Sequence, residues 1–455
     1  MSISPPDQLR PRGSKDNTLN APADHAPSAT SLLPTPMANP PHVPDERLPQ
    51  ELKECILNEL ASTHDYPSLA TCALAHRSLL TPSQAHLFHT IHLRTAALTA
   101  RFLSLLTSAP HLASLVRALH VEEEPNGHGQ WIARSTDLAA VLRRLPAINH
   151  LFLRPSSVCY AVLPESLRAA LLETLPSLQT LHLTCVFQLP LLIFDRLQSV
   201  RSLRLSWVSF DRAPAPPSSA STRRPLSNLA LCLTRDNHWV LVQRLLDPEG
   251  AFPLDVHALR SLRLDVLHAR DTRWQDDACK VLEQCSDTLQ ALELGAGVPR
   301  AFDYNPDDMS VISLASMRQL KILALRDVLV SRSDDEWGWL RSLLATVPDI
   351  EHLIIDFSPK LHPIGQSGIW EWLDQNLTSG HLGKSLKSVT LHIPAPRHIQ
   401  VDMPATIENL RQQMGTLGEV KRLQLTANWA EIRPPVAFML VRPSLIPSEI
   451  LDCVE

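Results

Sequence analysis

The chain has 455 residues, 44% of them apolar but only 5% aromatic, and a formal net charge of -5. That acidic balance, with arginines scattered rather than clustered, excludes a general phosphate-binding surface, so no nucleic-acid partner is expected. Apolar runs such as Leu189 to Phe194 fall far short of the ~20 residues of a membrane helix, and no apolar signal core opens the sequence. A soluble intracellular protein, cytoplasmic or nuclear and without a membrane partner, is expected.

Residues 1–44 hold ten prolines among Ser, Ala, Asn and Asp. Without apolar periodicity such a stretch cannot bury enough surface to offset chain entropy, and a disordered tail is expected. Residues 45–93 read as a small helical domain. Leu48-Pro49-Gln50-Glu51-Leu52 starts a helix, because proline suits a first turn and Glu51 meets the positive helix end. Leu52, Ile56, Leu57 and Leu60 recur at helical spacing. A polar break from Ser62 to Pro67 leads to a second helix with Leu69, Cys72, Ala73, Leu74 and Leu79, and Pro82 opens a short third helix ending at Phe88. Helices so few bury little, so this domain needs a partner or the rest of the chain to cover it.

From 94 to 430 one phrase recurs: apolar, two others, apolar, two others, then leucine-any-leucine. It reads Leu175-x-x-Leu178-x-x-Leu181-His-Leu183, then Leu197-x-x-Val200-x-x-Leu203-Arg-Leu205, then Val256-x-x-Leu259-x-x-Leu262-Arg-Leu264, and again around Leu292, Leu323, Leu353, Val389 and Leu423. The period averages about 30 residues, which predicts an α/β solenoid of leucine-rich-repeat type: strand-plus-helix units with a curved parallel sheet. Leucine, 78 of 455 residues, fills that core by repetition. Helices are expected over Glu165 to Thr174 and Asp334 to Thr346, and several stop at prolines such as Pro110, Pro146, Pro176 and Pro348.

Three residues after the second leucine, where leucine-rich repeats often carry Asn or Cys, stand Val186, Val208, Leu267 and Val328. They fill space but make no hydrogen bond, so repeat lengths of about 22 to 36 residues are expected in an irregular array. Residues 211–225, rich in Pro, Ser and Thr, should form a loop in place of a helix, and 431–455 a tail.

Strand alternation then maps a partner face. The residues beside the core leucines include His150, Phe152, Arg154, His182, Arg204, Arg263, Asp265, Glu293, Arg326, Asp356 and Arg422, charges of both signs that suit a protein partner better than an apolar pocket.

In the N-terminal helices, Leu48, Pro49, Glu51, Leu52, Ile56, Leu57, Leu60, Leu69, Leu74, Arg77 and Ser78 resemble an F-box. Leu87 to Leu93 is similar to the exit into the first strand in many fungal F-box-like proteins. Two positions depart from the motif: His76 stands where a cysteine is usual and Leu79 where a tryptophan is. The resemblance implies docking on the Skp-family adaptor of a cullin-RING ubiquitin ligase through Leu48, Pro49, Leu52, Ile56, Leu57, Leu60, Leu69 and Leu74. The array would then bind an unknown target protein. The alternative is a non-catalytic scaffold whose N-terminal helices only cap the array.

No enzyme chemistry is expected. The 13 glycines form no phosphate loop, and Gly365-Gln366-Ser367-Gly368 lacks nucleophile-elbow spacing. His86, His89 and His92 straddle a helix-to-strand boundary, Asp303, Asp307 and Asp308 are interrupted by Pro306, and the eight cysteines include no Cys-x-x-Cys pair. No metal and no cofactor are expected, and the cysteines read as buried thiols. Trp337/Trp339 and Trp370/Trp372 sit two apart on predicted helices, so one of each pair should be core and the other partly exposed.

Overall fold

A computed structural model describes residues 48–123, 130–211, 223–233, 238–246, 252–266, 273–295, 312–328, 338–357, 368–396, 403–419, 423–430 and 444–446. The chain divides into two units, Met1–Leu52 and Lys53–Glu455. Of the first, residues 48–52 are described and hold the opening turn of a helix. The expected tail over 1–44 lies outside the described residues.

The described helices are α1 (Gln50–Ser62), α2 (Tyr66–Ala75), α3 (Arg77–His89), α4 (Ala96–Ser108), α5 (Trp131–Arg134), α6 (Thr136–Arg143), α7 (Glu165–Thr174), α8 (His238–Leu246), α9 (Arg273–Gln284), α10 (Gly338–Thr346), α11 (Ile369–Thr378), α12 (Met403–Gln413) and α13 (Gly415–Glu419). The strands are β1 (Thr90–Leu93), β2 (Ala118–Glu122), β3 (His150–Arg154), β4 (Val158–Cys159), β5 (Thr180–Thr184), β6 (Val186–Phe187), β7 (Ser202–Ser206), β8 (Arg224–Pro225), β9 (Asn228–Leu233), β10 (Leu254–Asp255), β11 (Ser261–Val266), β12 (Ala291–Gly295), β13 (Ile322–Val328), β14 (His352–Phe357), β15 (Ser388–Pro396) and β16 (Leu423–Ala430).

Local chemistry sets the boundaries of the first three helices. Asp65 caps α2 by accepting from Ser68 N at 3.1 Å, with Pro67 in the first turn. His76, one of the two departures from the F-box pattern, caps α3: its Nδ1 accepts from Ser78 N at 3.1 Å. The third helix therefore begins at Arg77, and Leu79 belongs to it rather than to α2. Pro82 lies inside α3 instead of opening it and has no N–H to offer the Ser78 carbonyl.

Twelve strands form one all-parallel sheet in chain order, β1-β2-β3-β5-β7-β9-β11-β12-β13-β14-β15-β16. Parallel neighbours need a crossover, and most described connections supply it with a helix. The connection from β5 to β7 is short: Leu181 and Leu203, paired in register, lie only 22 residues apart, and a 3₁₀ helix over Leu191–Arg196 suffices. Val389 stands 36 residues after its partner Leu353, with α11 between them.

Register explains the leucine phrase. Leu119, Leu151, Leu181, Leu203, Leu229, Leu262, Leu292, Leu323, Leu353 and Val389 stand side by side, as do Val121, Leu153, Leu183, Leu205, Leu231, Leu264, Leu294, Leu325, Ile355 and Leu391. Both rows are buried in one continuous core with Leu138, Leu167, Leu241, Leu282, Leu340 and Trp370 of the helices. Val186, Val208 and Val328 fill that core as expected, and Leu267 lies outside the described residues. At the start of the strands, backbone N–H groups of successive units share one acceptor: Gln179 N and Thr180 N both donate to Asn149 O, and Arg201 N and Ser202 N to Gln179 O.

Buried carboxylates tie neighbouring segments together through backbone N–H groups. Glu123 Oε1 accepts from Ile132 N at 2.7 Å, at the start of α5, while its Oε2 accepts from Ser156 N and Ser156 Oγ, both at 2.7 Å. Asp374 on α11 accepts from Leu417 N at 2.8 Å.

Two expectations change. The loop expected over 211–225 ends earlier, because Arg224 and Pro225 form β8 and pair with Leu254 and Asp255 of β10; residues 212–222 lie outside the described region. The tail expected over 431–455 is anchored at Ser444–Ile446, where Ile446 is buried. Of the helix expected over Asp334 to Thr346, Gly338–Thr346 is helical and residues 334–337 lie outside the described residues.

Candidate partner-binding face

The residues that alternate with the core rows point to the opposite, outer face of the sheet. Their central row runs His92, His120, Phe152, His182, Arg204, Ala230, Arg263, Glu293, Ala324, Ile354, Thr390 and Gln424. Chemistry changes along it in blocks.

The first block is a ladder of flat rings. His92 and His120 centroids lie 4.5 Å apart, His120 and Phe152 5.3 Å, and Phe152 and His182 4.4 Å in an edge-on contact. Burial lowers the His120 and His150 pKa values and holds that of His182 well below the free value, the Arg204 charge adding to the effect at His182. His182 Nε2 is hydrogen-bonded to Thr184 Oγ1 at 3.2 Å. Because these imidazoles titrate below their unfolded pKa, the unfolded chain binds more protons once the pH drops under about 6.5, and stability is lost as pH falls through that window. Urea unfolding should give a lower midpoint at pH 5.5 than at 7.5, and His182→Phe should shrink the difference; a pH-independent midpoint contradicts this.

The second block is charged and mostly buried. Glu293 is its hub at 1% exposure. Its Oε1 receives Arg326 Nη2 at 2.5 Å and Arg326 Nε at 2.9 Å, and lies 3.3 Å from Arg263 Nε. Arg263 Nη2 also reaches Asp265 Oδ2 at 3.1 Å. Gly295 makes the room: a Cβ there would stand 2.2 Å from Asp265 Oδ1. Half-buried Arg204 stands beside Arg263, and burial followed by the Arg263 charge pushes its guanidinium down to about 10, still a cation at neutral pH.

Sequence alternation put Arg263, Asp265, Glu293 and Arg326 on the outer face, where they are, but as solvent-facing contacts, which they are not. All four are buried, because they pair with one another across adjacent strands and lie beneath neighbouring groups. His150, Phe152, Arg154, His182, Arg204 and Asp356 are half-buried, and Arg422 lies outside the described residues.

Sequence reasoning missed a third block. Ala291, Ile322, Ala324 and Ile354 form a separate buried apolar cluster on the outer face, with Ile446 on top. A signal for it exists: Ala291, Ile322, Ala324 and Ile354 are apolar at outward positions of three successive phrases. Beyond them the face turns polar, with His352 Nδ1 2.8 Å from Ser388 Oγ and His392 Nδ1 2.6 Å from Thr426 Oγ1.

Among the N-terminal helices, Leu57 and Leu69 are buried and Leu60 is intermediate. Leu48 and Pro49 are exposed, as are Leu52 and Ile56, each 50% exposed and one turn apart on α1, and Leu74 at 88%. Burial raises Cys185 to about 11 and Cys232 and Cys285 to about 12, so these thiols stay protonated, whereas Cys55 on α1 is exposed, against the expectation of buried thiols. Among the described residues no group of three His, Cys, Asp or Glu could hold a metal ion, and no helix is long and apolar enough to cross a membrane. Asp303, Asp307, Asp308, Trp337, Cys453 and residues 365–367 lie outside the described region.

No protein-family model matches the chain, and no curated protein matches it.

Proposed function

We propose that this chain is a non-catalytic receptor of a cullin-RING ubiquitin ligase, with F-box-type N-terminal helices that dock on the Skp-family adaptor and a leucine-rich-repeat solenoid that binds a target protein. It does no covalent chemistry itself. It raises the effective concentration of the target near the ligase's catalytic subunits. The observation that carries the reading is the exposure of Ile56 and Leu74 in a helical unit that buries Leu57 and Leu69; Leu48 and Leu52 are exposed as well. Large aliphatic side chains left in water at motif positions are what a partner would cover.

A second reading, N-terminal helices that cap the array of a scaffold protein, is supported by Phe88 and Ile91, which pack partly buried against the main core. Affinity capture separates the two. Ile56→Asp and Leu74→Asp are expected to abolish retention of the purified Skp-family adaptor and to leave stability within about 0.5 kcal/mol of the parent chain, as surface changes do. If the parent chain retains no adaptor, or if retention survives both substitutions, the capping scaffold is left.

A further inference from the structure

We infer that the centre of the outer face is a peptide-docking site for a short, turned protein segment carrying a hydroxyl residue followed by two branched aliphatic residues, and that this chain's own Ser444-Leu445-Ile446 occupies it as a built-in competitor. Such docking rests on the proposed reading of the outer face as the recognition surface, and it defines the class of segment that surface takes.

Glu293 supplies the polar half. Its Oε1 is held by Arg326 and Arg263, and its Oε2 accepts from Ser444 Oγ at 2.7 Å and from Leu445 N at 3.3 Å. A carboxylate held by guanidiniums from the strands on either side cannot turn away, so it presents one oxygen to a hydroxyl and the adjoining main-chain N–H. The main-chain bond accepts any residue but proline; the side-chain bond selects Ser or Thr. Ser444 Oγ also accepts from Ile446 N at 3.2 Å, which sets the turn that aims Ile446 down.

Ile446 supplies the apolar half, 4% exposed over Ala291, Ile322, Ala324 and Ile354, with Leu445 packed at the edge. Ala291 pairs with Ile322 and Ala324 with Ile354 across adjacent strands, and together they form the apolar floor on which one branched side chain rests. The neighbouring outward positions are Ser261 and Arg263 on β11 and Ser388 and Thr390 on β15, so the patch ends within three strands. The sheet needs no such patch for its own core, which lies on the other side. Glu293 and Ser444 are 151 residues apart, so the contact closes a long loop. One buried isoleucine and two hydrogen bonds to a single carboxylate make a short contact that tethering sustains and that a segment of the same chemistry on a partner can displace.

The test uses the full chain carrying Ser444→Asp, which sets a second carboxylate against Glu293, together with a chain ending at Val441. A fluorescent peptide of the sequence Arg-Pro-Ser-Leu-Ile-Pro is titrated into each and into the parent chain. Both altered chains are expected to bind it about tenfold more tightly than the parent, where the tethered segment competes. The same peptide carrying Ile446→Asp should not bind. Equal affinity for all three chains, or no binding to the folded Ser444→Asp chain, overturns the inference. Adaptor capture is measured on the same preparations: peptide binding without adaptor binding rejects the ligase reading alone, and adaptor binding without peptide binding rejects the docking site alone.

Discussion

Replacing Glu293 with alanine is expected to lower stability by about 3–5 kcal/mol, the range for removing one partner from a buried ion pair. The substitution deletes little apolar volume. What it removes is the carboxylate that three arginine nitrogens approach, Arg326 Nη2 and Nε and Arg263 Nε, in a site where Arg263 and Arg326 are themselves nearly solvent-free. Desolvated cations brought together without the anion between them repel, and β11 and β13, which carry them, should separate more readily from β12 between them. Urea unfolding measures the loss, and hydrogen exchange should locate it in those strands. Combining Glu293→Leu with Arg326→Leu should recover much of the deficit, since an apolar replacement of both partners avoids the uncompensated charge. A Glu293→Ala chain within about 0.5 kcal/mol of the parent would mean that the cluster is solvated and contributes little.

Trp370→Ala is the second large effect, also about 3–5 kcal/mol, from lost burial and the cavity left behind. Trp370 is fully buried and meets Phe357 at the end of β14 edge-on, with ring centroids 5.1 Å apart. No neighbouring side chain can fill an indole-sized void without moving the helix. Trp372, two residues on, is half-buried, with the Arg341 guanidinium 5.4 Å from its ring centre. Its replacement by alanine should cost only about 1 kcal/mol, the scale of an exposed cation–π contact with partial burial. Equal losses for the two variants, measured by urea unfolding, would mean that the phase assigned to α11 is wrong.

That phase illustrates how much was legible. A pair of tryptophans two apart cannot share a helix face, and the structure buries Trp370 more deeply than Trp372. The strand phase was legible for a similar reason: Leu181-His182-Leu183 and Leu203-Arg204-Leu205 fix which side chains point inward whatever the length of the connection between them. Exposure was not legible. Whether Glu293 faces water depends on Arg263, 30 positions earlier, Arg326, 33 later, and Ser444, 151 later, and alternation within one strand carries no trace of those distances. The segment Ser444–Ile446 has no period and reads as tail for the same reason.

Short-range chemistry also misled in places. A proline at 82 reads as a helix start, yet His76 caps the helix six residues earlier and the chain tolerates Pro82 inside α3. Arg224 and Pro225, read as loop, pair with β10 because Arg224 N donates to Pro253 O at 2.8 Å and Leu226 N to Asp255 O at 3.0 Å, bonds that flank the proline and need nothing from its nitrogen. On α1 the helical period named the apolar positions but not their fate: Leu57 turned inward and Ile56, its neighbour, outward, as adjacent helix residues about 100° apart must.

The exposed positions are where the functional account stands or falls. Calorimetric titration of a purified Skp-family adaptor into the full chain tests it most directly. Saturable one-to-one binding, lost in the Ile56→Asp chain and retained in the Glu293→Gln chain, is the result predicted for N-terminal helices that dock the adaptor independently of the sheet's outer face. No heat of binding to the parent chain, or binding that Ile56→Asp leaves intact, would contradict it.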